Sequence, residues 1–126
     1  MYNENPTGLM QERHAADPIQ TVRSDAFEHK VINGAGPIVV EFMSYSCAHC
    51  AAIEPAMQAV AGMLKTSEKF FRVNVATERE LANSYKIEGT PTLIMFSAGR
   101  EVGRSVGLAA DAATVLEALT APFASQ

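Results

Sequence analysis

Both cysteines of this chain fall in one tetrapeptide, Cys47-Ala48-His49-Cys50, within the stretch SYSCAHCAAIEP. Two thiols two residues apart can exchange with a disulfide, supply half of a metal site, or pack as small apolar groups. Zinc prefers four ligands, yet there is no second Cys-x-x-Cys and no His-x-x-x-His, and the other two histidines, His14 and His29, have no partner spacing. No metal and no cofactor is therefore expected. With only two cysteines a disulfide framework is excluded, and so short a loop would restrict the unfolded chain little.

What precedes and follows the pair favours redox chemistry. The β-rich apolar run PIVVEFM (37–43) comes first, and Ile53, Met57, Val60, Ala61 and Leu64 then recur at helical spacing. This pattern predicts a strand buried on both faces that feeds a helix running from Cys47 to Leu64. Free N–H groups and the dipole at the start of that helix favour a thiolate, which makes Cys47 the nucleophile. Cys50, one turn deeper, is placed to attack a mixed disulfide at Cys47 and is the resolving thiol. His49 lies between them and can stabilise the Cys47 thiolate as a donor or as a positive charge, which would make the disulfide more oxidising. The alternative leaves His49 as an exposed helix-start residue without redox effect.

Glu41 is an acid inside the apolar run, and a buried carboxyl must pair or hold its proton. Ahead of Cys47 on the same strand, it can sit below the cysteines and take the proton from Cys50. Arg72, in FFRVNV (70–75), is its expected charged partner; the alternative points Glu41 at an open sheet edge. Thr90-Pro91 opens the run TLIMF as an ordinary turn or a cis bond, and residue chemistry alone favours trans.

The remaining elements must carry these residues. IQTV (19–22) reads as a strand, followed by a helix with Ser24 as N-cap, Phe27 and Val31 on one face and Gly34 as terminator. Pro55 is expected to kink the long helix without ending it. After the third strand, Thr77 and Glu80 have the spacing of a capping box ahead of Leu81 and Tyr85. A hairpin (92–96 and 101–106, around SAGR) and a helix capped by Asp111 close the chain. A βαβα half followed by ββα predicts an α/β domain with a mixed sheet covered by helices on both faces. Residues 1–17 read as a mobile polar tail and 18–126 as the domain.

At 126 residues, 48% of them hydrophobic, the chain can fill one core without staples. A net charge of -4 and a pI near 5.3 argue against nucleic acid or an anionic membrane, and point to a protein or small-thiol partner. The GAG at Gly34–Gly36 lacks the third glycine of a dinucleotide loop. No apolar run approaches the ~18 residues of a membrane span, and the first residues lack a secretory pattern. A cytoplasmic location is expected if Met1 is the native start.

From about Ile19 to Leu119 the chain resembles the thioredoxin superfamily. The likeness rests on IVVEF leading into CAHC, Pro55 shortly after Cys50, KIEGTPTLIMF, and Gly107 beyond the hairpin. It implies a central mixed sheet flanked by four helices, with Pro91 cis beside the disulfide. It also implies that backbone at Thr90 pairs with substrate as an added strand, with Ser46 and Ala48 beside Cys47 in the substrate-contacting set. At the Glu41 position the family usually holds a buried Asp, and at the Arg72 position a pairing Lys, so a proton-relay role is implied for Glu41. Ala48-His49 replaces the Gly-Pro of true thioredoxins, and this His resembles that of oxidising DsbA proteins and protein disulfide isomerases. No long helical insertion of the DsbA kind is present. Met43 and Ser46 stand where tryptophans are usual, and Ala51 where a Lys often follows.

The resemblance implies a monomeric thiol-disulfide oxidoreductase that reduces protein disulfides and is recharged by a reductase or small thiol. The alternatives are the oxidising or isomerising direction, or a partner-binding module with incidental redox activity.

Overall fold

The protein, seen here as a computed structural model, is described over residues 17–124. The expected N-terminal tail, apart from Asp17, lies outside the described residues. Five strands form one mixed sheet: β1 (Ile19–Thr21), β2 (Ile38–Met43), β3 (Lys69–Asn74), β4 (Thr92–Ser97) and β5 (Arg100–Val106), in the order β1-β3-β2-β4-β5. β3 runs parallel to both β1 and β2, whereas β4 is antiparallel to β2 and to β5. The helices are α1 (Ser24–Phe27, continued by a π-helical turn over Glu28–Ile32), α2 (Ala48–Leu64), α3 (Arg79–Ser84) and α4 (Ala112–Ala124). The thioredoxin-like mixed sheet with helices on both faces is thus the architecture found.

Strand periodicity divides the core. Val39, Phe70, Leu93 and Met95 face Ile53, Met57 and Val60 of α2 and Val115 and Leu119 of α4. Ile38, Val40, Phe42, Phe71, Val73, Ile94 and Phe96 point the other way, against Phe27 and Val31 of α1 and against Leu81 and Tyr85. Glu41 shares the parity of Val39, and Arg72 that of Phe70, so both charged side chains are directed to the α2 side of the sheet. All six residues of β2 are buried.

The helix starts differ from expectation. Ser24 is the first helical residue rather than the N-cap, a place taken by Arg23 without a side-chain bond. The carboxylate of Glu78 satisfies this end instead, accepting from the Ser24 N–H at 2.8 Å and from its hydroxyl at 2.7 Å. The Thr77/Glu80 capping box does not form either, because Glu78 holds the N-cap of α3. The Thr77 hydroxyl turns to the Asn74 carbonyl and to Glu78, at 3.2 and 2.7 Å. Asp111 does cap its helix, accepting from the Thr114 N–H at 2.9 Å. Gly34 follows α1, where a Cβ would overlap the Lys30 carbonyl oxygen and lie 2.7 Å from Ile38 Cδ1, so close packing rather than a left-handed turn requires glycine. α2 continues past Pro55.

Bonds to Thr77 and Ser24 hold the Glu78 carboxyl down at about 2, against an ordinary 4.5. A lowered folded pKa stabilises above the unfolded value and is lost as pH falls from about 4.5 toward about 2. Glu78→Ala is expected to lower unfolding stability at pH 7 by about 1–2 kcal/mol. Denaturant titrations should also show a shallower decline for the variant across that acid window, and an equal decline would remove Glu78 from this role.

Candidate active site

β2 ends at Met43, and a tight turn over Ser44–Ser46 carries the chain to α2; the Ser46 N–H donates to the Ser44 hydroxyl at 3.2 Å. Cys47 becomes the N-cap of α2, with extended backbone at φ -87° and ψ 117°. Its sulfur does what a serine or aspartate oxygen does at that position, accepting the Cys50 N–H at 3.1 Å. Cys47 is half-buried, flanked by exposed Ser46 and Ala48, while Cys50 retains 3% of its exposure.

The second edge of the site comes from the start of β4. Thr90-Pro91 is cis, as the family resemblance implies and against the trans preference of the residues themselves. Cys47 Sγ lies 3.5 Å from the Thr90 carbonyl oxygen. The Thr92 hydroxyl donates to the Gly89 carbonyl at 2.6 Å, and the Gly107 N–H to the Pro91 carbonyl at 3.4 Å, which tie this turn to the sheet.

These surroundings separate the two thiols. Burial pushes Cys47 up, but bonds from the Cys50 thiol, the Thr90 side chain and the amides of Cys50 and His49 outweigh it and leave its pKa below the ordinary value. Cys50 is pushed up to about 11, first by burial and then by its bond to Cys47. The His49 ring is turned to another partner: Nε2 donates to the Leu108 carbonyl at 2.7 Å, so it is the backbone amide of His49 that serves Cys47.

Glu41 lies on the central strand, fully buried, with β3 on one side and β4 on the other, which removes the open-edge alternative. Arg72 is its register neighbour on β3. Arg72 Nε stands 3.6 Å from Glu41 Oε1, too far for a hydrogen bond, and neither carboxyl oxygen of Glu41 has a hydrogen-bond partner among the described residues. The guanidinium is committed elsewhere: Nη2 donates to both oxygens of Glu54, at 2.9 and 2.8 Å, and Nη1 lies 3.9 Å from Asp17. Burial raises Glu41 to about 7, with Arg72 pulling it down and Glu54 pushing it up.

Sequence reasoning missed Glu54. Its place one helical turn after Cys50, in the i,i+4 relation, was the available signal. A cavity of about 220 Å³ is lined by Cys50, Glu54 and Arg72 together with Met43, Ser44, Tyr45 and Ala51. A larger one, about 640 Å³, opens beside Lys65, Glu68 and the start of β3 and touches none of the site residues. Among the described residues no three His, Cys, Asp or Glu side chains are grouped to hold a metal ion, and no helix is long and apolar enough to cross a membrane.

The sequence profile described as Thioredoxin matches residues 18–121. Protein disulfide isomerase-like 2-3 of Oryza sativa subsp. japonica is 33% identical over 86 residues, which are 68% of this chain and 20% of that protein. The chain therefore spans about a fifth of the length of the disulfide isomerase relatives it matches. A thioredoxin of Porphyra purpurea is 29% identical over 89 residues, 71% of this chain and 83% of that one. Among solved structures, thioredoxin of Malassezia sympodialis superposes with a TM-score of 0.72 at 25% identity, covering 82% of this chain and 89% of that one.

The separation of the thiols is directly measurable. Limiting iodoacetamide at pH 7 should label Cys47 in the reduced protein and leave Cys50 unmodified, as read by peptide mass mapping. Equal labelling, or labelling of Cys50 first, would contradict the assigned order of acidity.

Proposed function

This chain belongs to the thioredoxin family of thiol-disulfide oxidoreductases, and from that membership we propose that it works chiefly as a reductant of protein disulfides. One observation carries the reading: a half-exposed Cys47 sulfur at a helix N-cap, 3.5 Å from the Thr90 carbonyl, backed by a buried Cys50 whose proton is held to about pH 11.

Cys47 thiolate attacks one sulfur of a substrate disulfide. That S–S bond breaks, one substrate sulfur leaves as thiolate, and the other becomes bonded to Cys47. Cys50 then gives its proton toward the Glu41 carboxylate and attacks Cys47. The mixed disulfide breaks, the second substrate sulfur leaves as thiolate, and the Cys47–Cys50 bond closes. Two electrons have passed to substrate, and a reductase or small dithiol must return them. The cavity bordered by Cys50 and by Arg72, which stands beside Glu41, has room for the water that would carry the proton.

Substrate backbone is read at Thr90, beside Pro91, as an added strand, with Ser46 and Ala48 as the facing positions. His49 supports the reducing direction. The His49 ring is given to Leu108, and the Cys47 thiolate is stabilised by the Cys50 thiol, the Thr90 side chain and the amides of Cys50 and His49, which favours a reducing pair over a strongly oxidising one. A reducing role fits a cytoplasmic location and a monomer acting on folded proteins. A second reading, reshuffling or donating disulfides, is supported by the relatives named protein disulfide isomerases and by His49 itself.

The test is reduction of insulin disulfides with dithiothreitol as electron donor. Cys47→Ser should abolish turnover, and Cys50→Ser should accumulate a mixed disulfide with insulin. Glu41→Gln should slow the resolving step by about a hundredfold, the lower end for a positioned general base, without changing Cys47 alkylation. An active Cys47→Ser protein would overturn the reading.

A further inference from the structure

The Glu41–Arg72 pair is incomplete in a specific way. Both Glu41 oxygens and Arg72 Nε are buried without a hydrogen bond among the described residues, although the two side chains are register neighbours in adjacent strands. The guanidinium spends its best geometry, two bonds of 2.9 and 2.8 Å from Nη2, on Glu54 of α2. Glu54 is itself held in place by Gln58, whose Nε2 donates to it at 2.8 Å and to Asp17 at 3.0 Å.

We propose that Glu54 is a positioning residue for the proton step at Cys50: by holding the Arg72 guanidinium it keeps Glu41 from a full ion pair, and so leaves Glu41 able to exchange a proton. This rests on the reading of Glu41 as the proton relay.

The charge balance supports it. Arg72 from β3 stands beside Glu41, Glu54 of α2 acts on it by charge, and β4 contributes apolar Leu93; Cys50 lines the same cavity as Arg72 and Glu54, and Asp17, ahead of β1, meets Arg72. One guanidinium thus serves three carboxyls. The side chains of Glu54 and Asp17 are 35% and 45% exposed, whereas that of Glu41 is 1% exposed. The buried carboxyl is the one whose pKa is raised, to about 7. Glu54 also acts directly, since its negative charge opposes ionisation of Glu41. Removing Glu54 would cancel that repulsion and release Arg72 toward Glu41, and both changes favour the carboxylate.

Glu54 lies on a half-exposed helical face where Gln and Ala are both good helix formers, so two variants are open to test. Carbon-13 NMR of the side-chain carboxyls in the reduced protein, with Glu41→Gln to assign the signal, reads the titration of Glu41 itself. Glu54→Gln and Glu54→Ala should each lower its midpoint by about one pH unit, while Arg72→Gln should raise it. A midpoint that is unchanged or higher in both Glu54 variants would overturn the proposal. The resolving step is then followed by release of glutathione preloaded on Cys47, and its pH midpoint should fall with that of the carboxyl. If the carboxyl midpoint falls while release responds to neither Glu54→Gln nor Glu41→Gln, the hold of Glu54 on Glu41 is supported and the relay reading is what fails.

Discussion

Strand β2 hydrogen-bonds in parallel to β3 on one side and antiparallel to β4 on the other, and this double pairing places every group at the site. Its parallel partner sets Arg72 beside Glu41. Its antiparallel partner returns the chain so that Thr90-Pro91, just before β4, meets Cys47, just after β2. Burial on both faces leaves β2 no freedom to slip, because a shift of one residue would turn Glu41 from the α2 side into the apolar cluster of Phe42, Phe71 and Phe96.

The same junction creates the difference between two chemically identical thiols. Cys47 stands at the helix N-cap, where its sulfur can accept the amide of Cys50, and Cys50 is carried one turn inward and buried. One thiol is therefore poised to attack and the other to wait for a base. Beneath them a single guanidinium is divided among carboxyls of unequal exposure, so the buried one titrates near neutral pH.

Much of this could be read along the chain because its signals are local. The buried strand 38–43, the helical period after Cys47, the hairpin around Ala98-Gly99 and the Asp111 cap each depend on residues within a few positions of one another. The turn residues Ala98 and Gly99 both have positive φ, at 52° and 78°, as a two-residue hairpin turn requires. Long-range partners were not legible. Glu78 caps a helix begun 54 residues earlier, which displaced both Ser24 as a cap and the Thr77/Glu80 box. Arg72 and Glu54 meet across 18 residues, and only the i,i+4 relation of Glu54 to Cys50 hinted at it. His49 illustrates the same limit, since its ring partner, the Leu108 carbonyl, is 59 residues away. The cis bond at Thr90-Pro91 contradicts local preference and was accessible through the family pattern alone.

The direction of electron flow rests on how strongly the Cys47 thiolate is stabilised, and the equilibrium constant of the Cys47/Cys50 couple against glutathione measures that directly. With amides rather than an imidazolium supporting the thiolate, the couple is predicted to lie near the ~ -270 mV of a thioredoxin. A potential near the ~ -120 mV of DsbA would show a far more stabilised thiolate and contradict a reducing role.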